Sequence, residues 1–300
     1  MKRRMTIEAR KKLIGALFIA PWVIGLLLFF VYPMVTSLLM TFYRITPHPE
    51  GFYWEFIGFR NFNRILRIEA HFLNVLIPYL FRTIVMVPVI VLFAVVVALL
   101  LNQEFPGRGL YRAIFFLPVL FTTGGVIIML MADGGMDTAE NVGTAATTTV
   151  SFLNADALIN LIGRFMPPRI AHAMREVLES FVLVLWYAGI QITLLIAGCQ
   201  SIPGSLYEAA SIDGANSWET MWKITLPGIL PFILISLIYT IVDMSTLITN
   251  PIMEIVEYAL GAPLSQGMGY ASTVGWIYQI VIMIMIGAIF MMFRKATPKH

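Results

Sequence analysis

The chain has 300 residues, 59% of them hydrophobic and only 12% charged, and its mean hydropathy is +0.83. Soluble domains carry about 25% charged residues, so most of this chain is solvated by lipid. The net charge of +3 and the isoelectric point near 9.0 do not indicate a nucleic-acid partner. The basic residues flank apolar runs and form no continuous stripe.

A helix needs about 20 apolar residues to cross the hydrocarbon core. Six runs are candidate spans, at roughly 13–40, 79–101, 113–131, 181–200, 226–247 and 276–293. Barrel strands would be shorter and would alternate, and these runs do not. The expected fold is therefore all-α, a polytopic membrane protein with six transmembrane helices. Residues 1–12 form an N-terminal segment, 13–293 the membrane domain and 294–300 a tail. The basic start (Lys2, Arg3, Arg4, Arg10, Lys11, Lys12) fits a signal peptide. The apolar run after it continues to about Met40 with no small-residue cleavage site, so it reads as a retained first helix.

The loop 41–78 carries the turn formers Pro47, Pro49 and Gly51, and the aromatics Phe52, Tyr53, Trp54, Phe56 and Phe59 suit a membrane interface. Loop 102–112 is short, broken by Pro106, Gly107 and Gly109. Loop 132–180 is the longest. Its first half is rich in Gly, Thr and Ala. Its second half spaces Phe152, Leu153, Leu158, Ile159, Ile162 and Phe165 near helical periodicity. That pattern fits a helix lying on the outer membrane surface and equally a packed loop helix.

Orientation follows from the basic residues. With the N-terminus inside, the inner segments hold twelve of the 20 Lys and Arg residues, and the basic tail Arg294, Lys295 and Lys299 returns to the cytoplasm. Arg60, Arg64 and Arg67 in an outer loop are a minor violation. Cys199 is the only cysteine, so no internal disulfide and no cysteine metal cluster is expected. There is no Gly-Lys pair for a phosphate-binding loop, and neither G-x-S-x-G nor H-E-x-x-H occurs. His48, His71, His172 and His300 are scattered. Ionisable residues inside spans are few: Arg82 toward the outer end of span two and Asp243 toward that of span five. A secondary transporter usually carries more of them near the midplane.

The inner loop 201–225 is a polar island. Pro203 and Gly204 end span four, and Ser205 is placed to cap a helix over about Leu206 to Asp213, with Glu208 in its first turn. Ala209 and Ala210 allow another surface to approach closely. Gly214 permits a sharp break, and a second short helix, about Ser217 to Ile224, carries Trp218, Met221 and Trp222. Pro227 and Pro231 then start span five. A helix resting on the inner leaflet would be basic, whereas here Glu208, Asp213 and Glu219 oppose only Lys223. The segment reads as a docking surface for another protein.

At these residues a resemblance becomes plain. Glu208-Ala209-Ala210-Ser211-Ile212-Asp213-Gly214-Ala215, then Leu226-Pro227, resembles the "EAA" coupling motif of binding-protein-dependent ABC transporter permeases. Leu195 to Pro203, Val242-Asp243, Leu247-Ile248-Thr249-Asn250-Pro251, Gly269-Tyr270-Ala271-Ser272, Ala20-Pro21 and Tyr32-Pro33 are similar to the sugar-permease branch. The likeness covers about residues 13–293. Asn250 stands where a Gly-Gly pair is usual and Trp222 where Phe is usual, and the loop after span three is long.

The resemblance implies a MetI-like transmembrane domain forming half of an import pathway for a sugar or oligosaccharide. It implies a second permease subunit, of a different sequence, two cytoplasmic ATPase subunits and an external solute-binding protein. The chain would sit in a bacterial-type plasma membrane with both termini cytoplasmic, binding no cofactor itself, with ATP and Mg in the ATPase. No catalytic or metal site is expected on this chain. Coupling would rest on Glu208, Ala209, Ala210, Asp213, Gly214, Ala215, Trp218, Trp222, Leu226 and Pro227. Polar and aromatic groups on or near spans five and six (Tyr239, Asp243, Asn250, Tyr270 and Gln279) are candidates for the solute pathway. The alternatives are a secondary transporter or channel without an ATPase, which would show internal repeats, half-helices or a charge ring, and an intramembrane enzyme, for which no nucleophile–base pair exists.

Overall fold

The computed structural model describes residues 7–48, 51–103, 105–122, 168–246, 250–261 and 267–294. The chain divides into two compact units, residues 1–75 with 255–279, and residues 76–254 with 280–300.

In the first unit, helix α1 (Ile7–Leu26), a π turn (Leu27–Val31) and helix α2 (Tyr32–Met40) follow one another without a break. The π turn has a local cause. Pro33 has no N–H to give the carbonyl four residues earlier, and its ring crowds that carbonyl, so the preceding turn widens. No described side chain in Ile14–Met40 is buried within the chain. Strands β1 (Tyr43–His48) and β2 (Gly51–Phe56) form an antiparallel pair in the register Tyr43↔Phe56 to His48↔Gly51. The short helix α3 (Arg60–Asn63) and a second π turn (Arg64–Ile68) follow.

The hairpin is fastened to the start of the last helix. Asn61 Nδ2 donates to the Thr41 carbonyl at 2.9 Å, and Thr273 Oγ1 donates to the same oxygen at 3.4 Å. A Cβ at Gly269 would collide with the Tyr43 carbonyl, so only glycine permits this approach. Tyr270 is buried there, its hydroxyl donating to Glu69 at 2.5 Å.

The second unit holds most of α4 (Ala70–Asn102), then α5 (Arg108–Thr122), α6 (Pro168–Gln200), α7 (Gly204–Ile212), α8 (Ser217–Thr220) and α9 (Leu226–Thr246). Helix α6 packs against both α5 and α9. Val87, Ile90 and Ala94 of α4, Ile192 and Leu195 of α6, and Ile229 and Ile241 of α9 are buried in this unit. A Cβ at Gly198 would lie 2.7 Å from the Phe232 ring, and one at Gly228 would lie 2.8 Å from Ile202 Cδ1. Helix α10 (Pro251–Gly261) and helix α11 (Gly267–Arg294) complete the chain.

Among the described residues, five helical runs are long and apolar enough to cross a membrane. The fourth, bounded by Ser217 and Gly261, takes in α8, α9 and α10, and residues 247–249 within it lie outside the described residues. Of the predicted third span, residues 113–122 are helical and 123–131 lie outside the described residues, as do the predicted helix at 152–165, the tail 295–300 and residues 1–6.

Several features differ from the sequence reading. Residues 168–180, read as loop, are the first turns of α6. The helix of span two begins at Ala70, not 79, running through Pro78 and Pro88, which membrane helices tolerate. Residues 251–261 and 267–275, read as loop, are helical, and Pro251 opens α10 where a missing N–H costs nothing. The hairpin is a small β element, and the other described elements are helical.

Candidate coupling site

The loop between α6 and α9 is an elbow of two helices. Helix α7 starts at Gly204, capped by Pro203 with extended backbone (φ −61°, ψ 134°) and no side-chain bond. Ser205 therefore lies inside the first turn and is not the cap, and Glu208 falls in the second turn. A proline needs no amide partner there, so the helix begins earlier than the serine suggests, and the dipole argument for Glu208 lapses beyond the first turn.

The end of α7 is a complete Schellman motif. Ala215 N donates to the Ala210 carbonyl at 2.9 Å and Gly214 N to the Ser211 carbonyl at 3.2 Å, with Gly214 at φ +74°. Only glycine takes that left-handed backbone without strain. Ala210 is buried, while Glu208, Ala209, Asp213 and Gly214 are exposed.

Asn216 then caps α8. Its Oδ1 accepts from Glu219 N at 2.8 Å, and its own N–H donates to Glu219 Oε2 at 3.2 Å. This reciprocal box was legible as Asn-x-x-Glu in the sequence and was missed. The Glu219 carboxyl, outside the span, is held below the usual carboxylate range by the Asn216 hydrogen bond and by the Lys223 ammonium, 3.4 Å away.

The predicted second short helix, 217–224, is not a separate one. Helix α8 passes through a π turn (Met221–Thr225) directly into α9. The cause is the same as in the first span: Pro227 and the turn that widens ahead of it. Leu226 and Pro227 thus lie inside one continuous rod. Tyr207 OH, on α7, lies 3.1 Å from Thr225 Oγ1 and braces the elbow.

The outer surface of the elbow is apolar in places. Ile212 is 86% exposed, Trp218 66% and Trp222 50%, and the two indoles meet edge to face at 5.6 Å between centroids. Ile212 was not singled out from the sequence. Its sign was a large aliphatic residue inside an otherwise small and acidic run.

The candidate pathway residues do not share one environment. Tyr239 and Asp243 on α9 are half-buried. Among the described residues no ion pair joins Asp243 to Arg82, which is exposed. Asn250 is buried, with its Nδ2 donating to the Ser245 carbonyl at 2.7 Å and its Oδ1 accepting from Ile252 N at 2.9 Å, and so caps α10. In the first unit, Tyr270 is bound to Glu69, and Gln279 is exposed on α11. The sequence reading missed a buried polar pair in the second unit: Gln191 Nε2 donates to Thr240 Oγ1 at 2.8 Å, and Gln191 Oε1 and Ser236 Oγ have no partner there among the described residues.

The described chain is thus a polytopic helical one whose braced, capped elbow presents two tryptophans between candidate membrane spans. Residues 176–296 match the family model described as "binding-protein-dependent transport system inner membrane component". The chain is 30% identical over 298 residues to an arabinooligosaccharide transport system permease protein, AraP, of Bacillus subtilis (strain 168), covering 91% of this chain and 86% of that one. It is 28% identical over 304 residues to a probable ABC transporter permease, YesP, of the same organism, covering 94% and 90%. A bacterial ABC transporter involved in the import of the acidic polysaccharide alginate has the same fold, with a TM-score of 0.57 at 21% identity, covering 96% of this chain and 97% of that one. The chain belongs to the family of binding-protein-dependent transport system inner membrane components. It is a multi-pass ABC-transporter permease subunit.

Proposed function

We propose that this permease subunit forms half of the pathway by which a sugar or oligosaccharide, delivered by an external binding protein, enters the cell, and that an ATPase pair drives it through the elbow 204–225. The observation that carries the reading is the elbow itself: a Schellman break at Gly214 and a capping box at Asn216 hold Ile212, Trp218 and Trp222 outward, beside Glu208 and Asp213. Large apolar anchors held rigidly in water are what a docking hot spot needs. The sugar class is supported by relatives named for arabinooligosaccharides, multiple sugars and trehalose/maltose.

In this reading nucleotide-driven closure of the ATPase moves the elbow, and α9 moves with it because α8 joins it without a break. ATP and Mg belong to the ATPase partner. A second permease, different from this one, supplies the other half. Both termini face the cytoplasm. In the second unit the half-buried Tyr239 and Asp243 and the spare acceptor of Gln191 offer the solute polar edges and an aromatic face.

The test is the double substitution Trp218→Ala with Trp222→Ala in the assembled transporter. Loss of two anchors should lower recovery of the ATPase with the permease and reduce solute-stimulated hydrolysis by about tenfold or more. Unchanged recovery and full stimulation would refute the docking role. Single cysteines in a Cys199→Ser background test orientation: positions 140 and 260 should label from outside, and 104, 216 and 298 only from inside.

A further inference from the structure

We propose that the segment after the hairpin is a binding site for the headgroup of an anionic glycerophospholipid in the outer leaflet. An open groove of about 560 Å³ is lined by Phe59, Arg60, Phe62, Asn63, Leu66 and Arg67. It presents two guanidiniums, one amide and an apolar wall. Arginine forks match phosphate oxygens with paired hydrogen bonds, and Phe59, Phe62 and Leu66 offer the apolar surface that the glycerol and first acyl carbons need. Among the described residues neither Arg60 nor Arg67 has an ion-pair partner, whereas Arg64 is paired with Glu69 at 2.7 Å. Two uncompensated cations thus remain on the side where basic residues are normally scarce.

The depth of the groove argues for lipid. The apolar run Ile14–Met40 is 27 residues, about 40 Å long at 1.5 Å per residue. The hydrocarbon core is about 30 Å thick, and about 40–45 Å with the headgroup layers. With Lys11 and Lys12 at the inner surface, Met40 reaches the outer headgroup layer. The groove is tied to that level. Ile57 N and Gly58 N both donate to the Phe42 carbonyl, at 3.0 and 3.1 Å. The Phe42 ring meets Phe59 edge-on at 5.3 Å and Phe62 at 5.8 Å. The lipid-facing surface of α2 therefore continues into the groove. Beside it, β2 leaves Phe52, Trp54 and Phe56 exposed on one face, while Arg44 and Glu55 pair on the other. Aromatic rings of this kind sit at headgroup depth.

The site rests on the outward orientation proposed above, and the experiment separates the two. The purified, assembled transporter in mild detergent is titrated with phosphatidylglycerol and with phosphatidylcholine, and bound lipid is counted by native mass spectrometry. Phosphatidylglycerol should bind in preference. Arg60→Gln with Arg67→Gln should weaken it by roughly thirtyfold, from the typical attraction of two surface cations, and leave phosphatidylcholine unchanged. Arg60→Lys with Arg67→Lys should retain part of the preference, and Arg44→Gln, already paired on the hairpin, all of it. Stimulation by the external binding protein, at matched lipid, should not change. Unchanged lipid preference in the glutamine variant would overturn the proposal. If stimulation falls instead, the groove is a protein-docking surface. If nothing falls, the two arginines are solvated charges. Labelling of Asn63→Cys, in a Cys199→Ser background, only from the cytoplasmic side would overturn the orientation and with it the outer-leaflet assignment.

Discussion

Substitution at Gly214 tests the elbow most directly. The residue sits at φ +74° as the left-handed position of the Schellman motif, and a Cβ built there meets nothing within 4 Å. The cost of a side chain is therefore conformational and not steric. A non-glycine residue pays about 1–2 kcal/mol for that backbone, and asparagine less because it tolerates the region. Since 1.4 kcal/mol is a factor of ten, Gly214→Ala should lower the equilibrium constant for forming the Schellman elbow about tenfold, and Gly214→Val, with its branched β-carbon, further. Gly214→Asn should stay near the parent. The loop is exposed and carries little core, so membrane insertion should be unaffected. The assay is solute-stimulated ATP hydrolysis and uptake by the assembled transporter in proteoliposomes, normalised to permease content. Both should fall together in the order Gly, Asn, Ala, Val. Parental rates for Ala and Val would refute the view that this backbone sets the docking geometry.

Asp243→Asn should reduce uptake without lowering thermal stability or assembly, because no ion pair with Arg82 exists to break; a matching loss of stability would move Asp243 from the pathway to the scaffold. Gly198→Ala places a methyl group 2.7 Å from the Phe232 ring, forcing α6 from α9 at a cost of about 1–3 kcal/mol. Thermal unfolding in detergent should shift down, and Phe232→Leu in the same chain should recover part of the shift; an unchanged midpoint for Gly198→Ala would show that the two helices pack less tightly than described.

Spans one, two, four, five and six were legible because lipid imposes a strong one-dimensional rule on composition. Their ends were less so: span two reads as starting at 79, yet α4 begins at Ala70 and runs through Pro78, since a buried or lipid-facing helix keeps its other hydrogen bonds. The elbow was found from its polarity and motif, and the break at Gly214 was placed correctly from glycine's backbone freedom. Its caps were not. Ser205 looked like the cap by residue type, but Pro203 takes the position, and the asparagine that does cap, Asn216, passed unread. The hairpin fastening depends on Gly269 meeting the Tyr43 carbonyl more than two hundred residues away, a contact with no local signature. Asn250 looked like a solute ligand because it is polar and near a span. Its amide is instead engaged by the Ser245 carbonyl and the Ile252 N–H, a pairing that residue type alone does not reveal.

The π turn at Met221–Thr225 sets a phase as well as a shape. A π turn is, in effect, one residue inserted into an α-helix, and each residue of an α-helix advances the surface by about 100°. Trp218 ahead of that insertion, Trp222 within it and the buried face of α9 beyond it are keyed together like teeth on one shaft. Removing a single residue from the turn would leave the helix intact, but would swing Trp218 about a quarter-turn from the direction in which the span faces. Length in this segment is therefore under a constraint that composition does not reveal: conservative substitutions there can be absorbed, and a single deletion cannot.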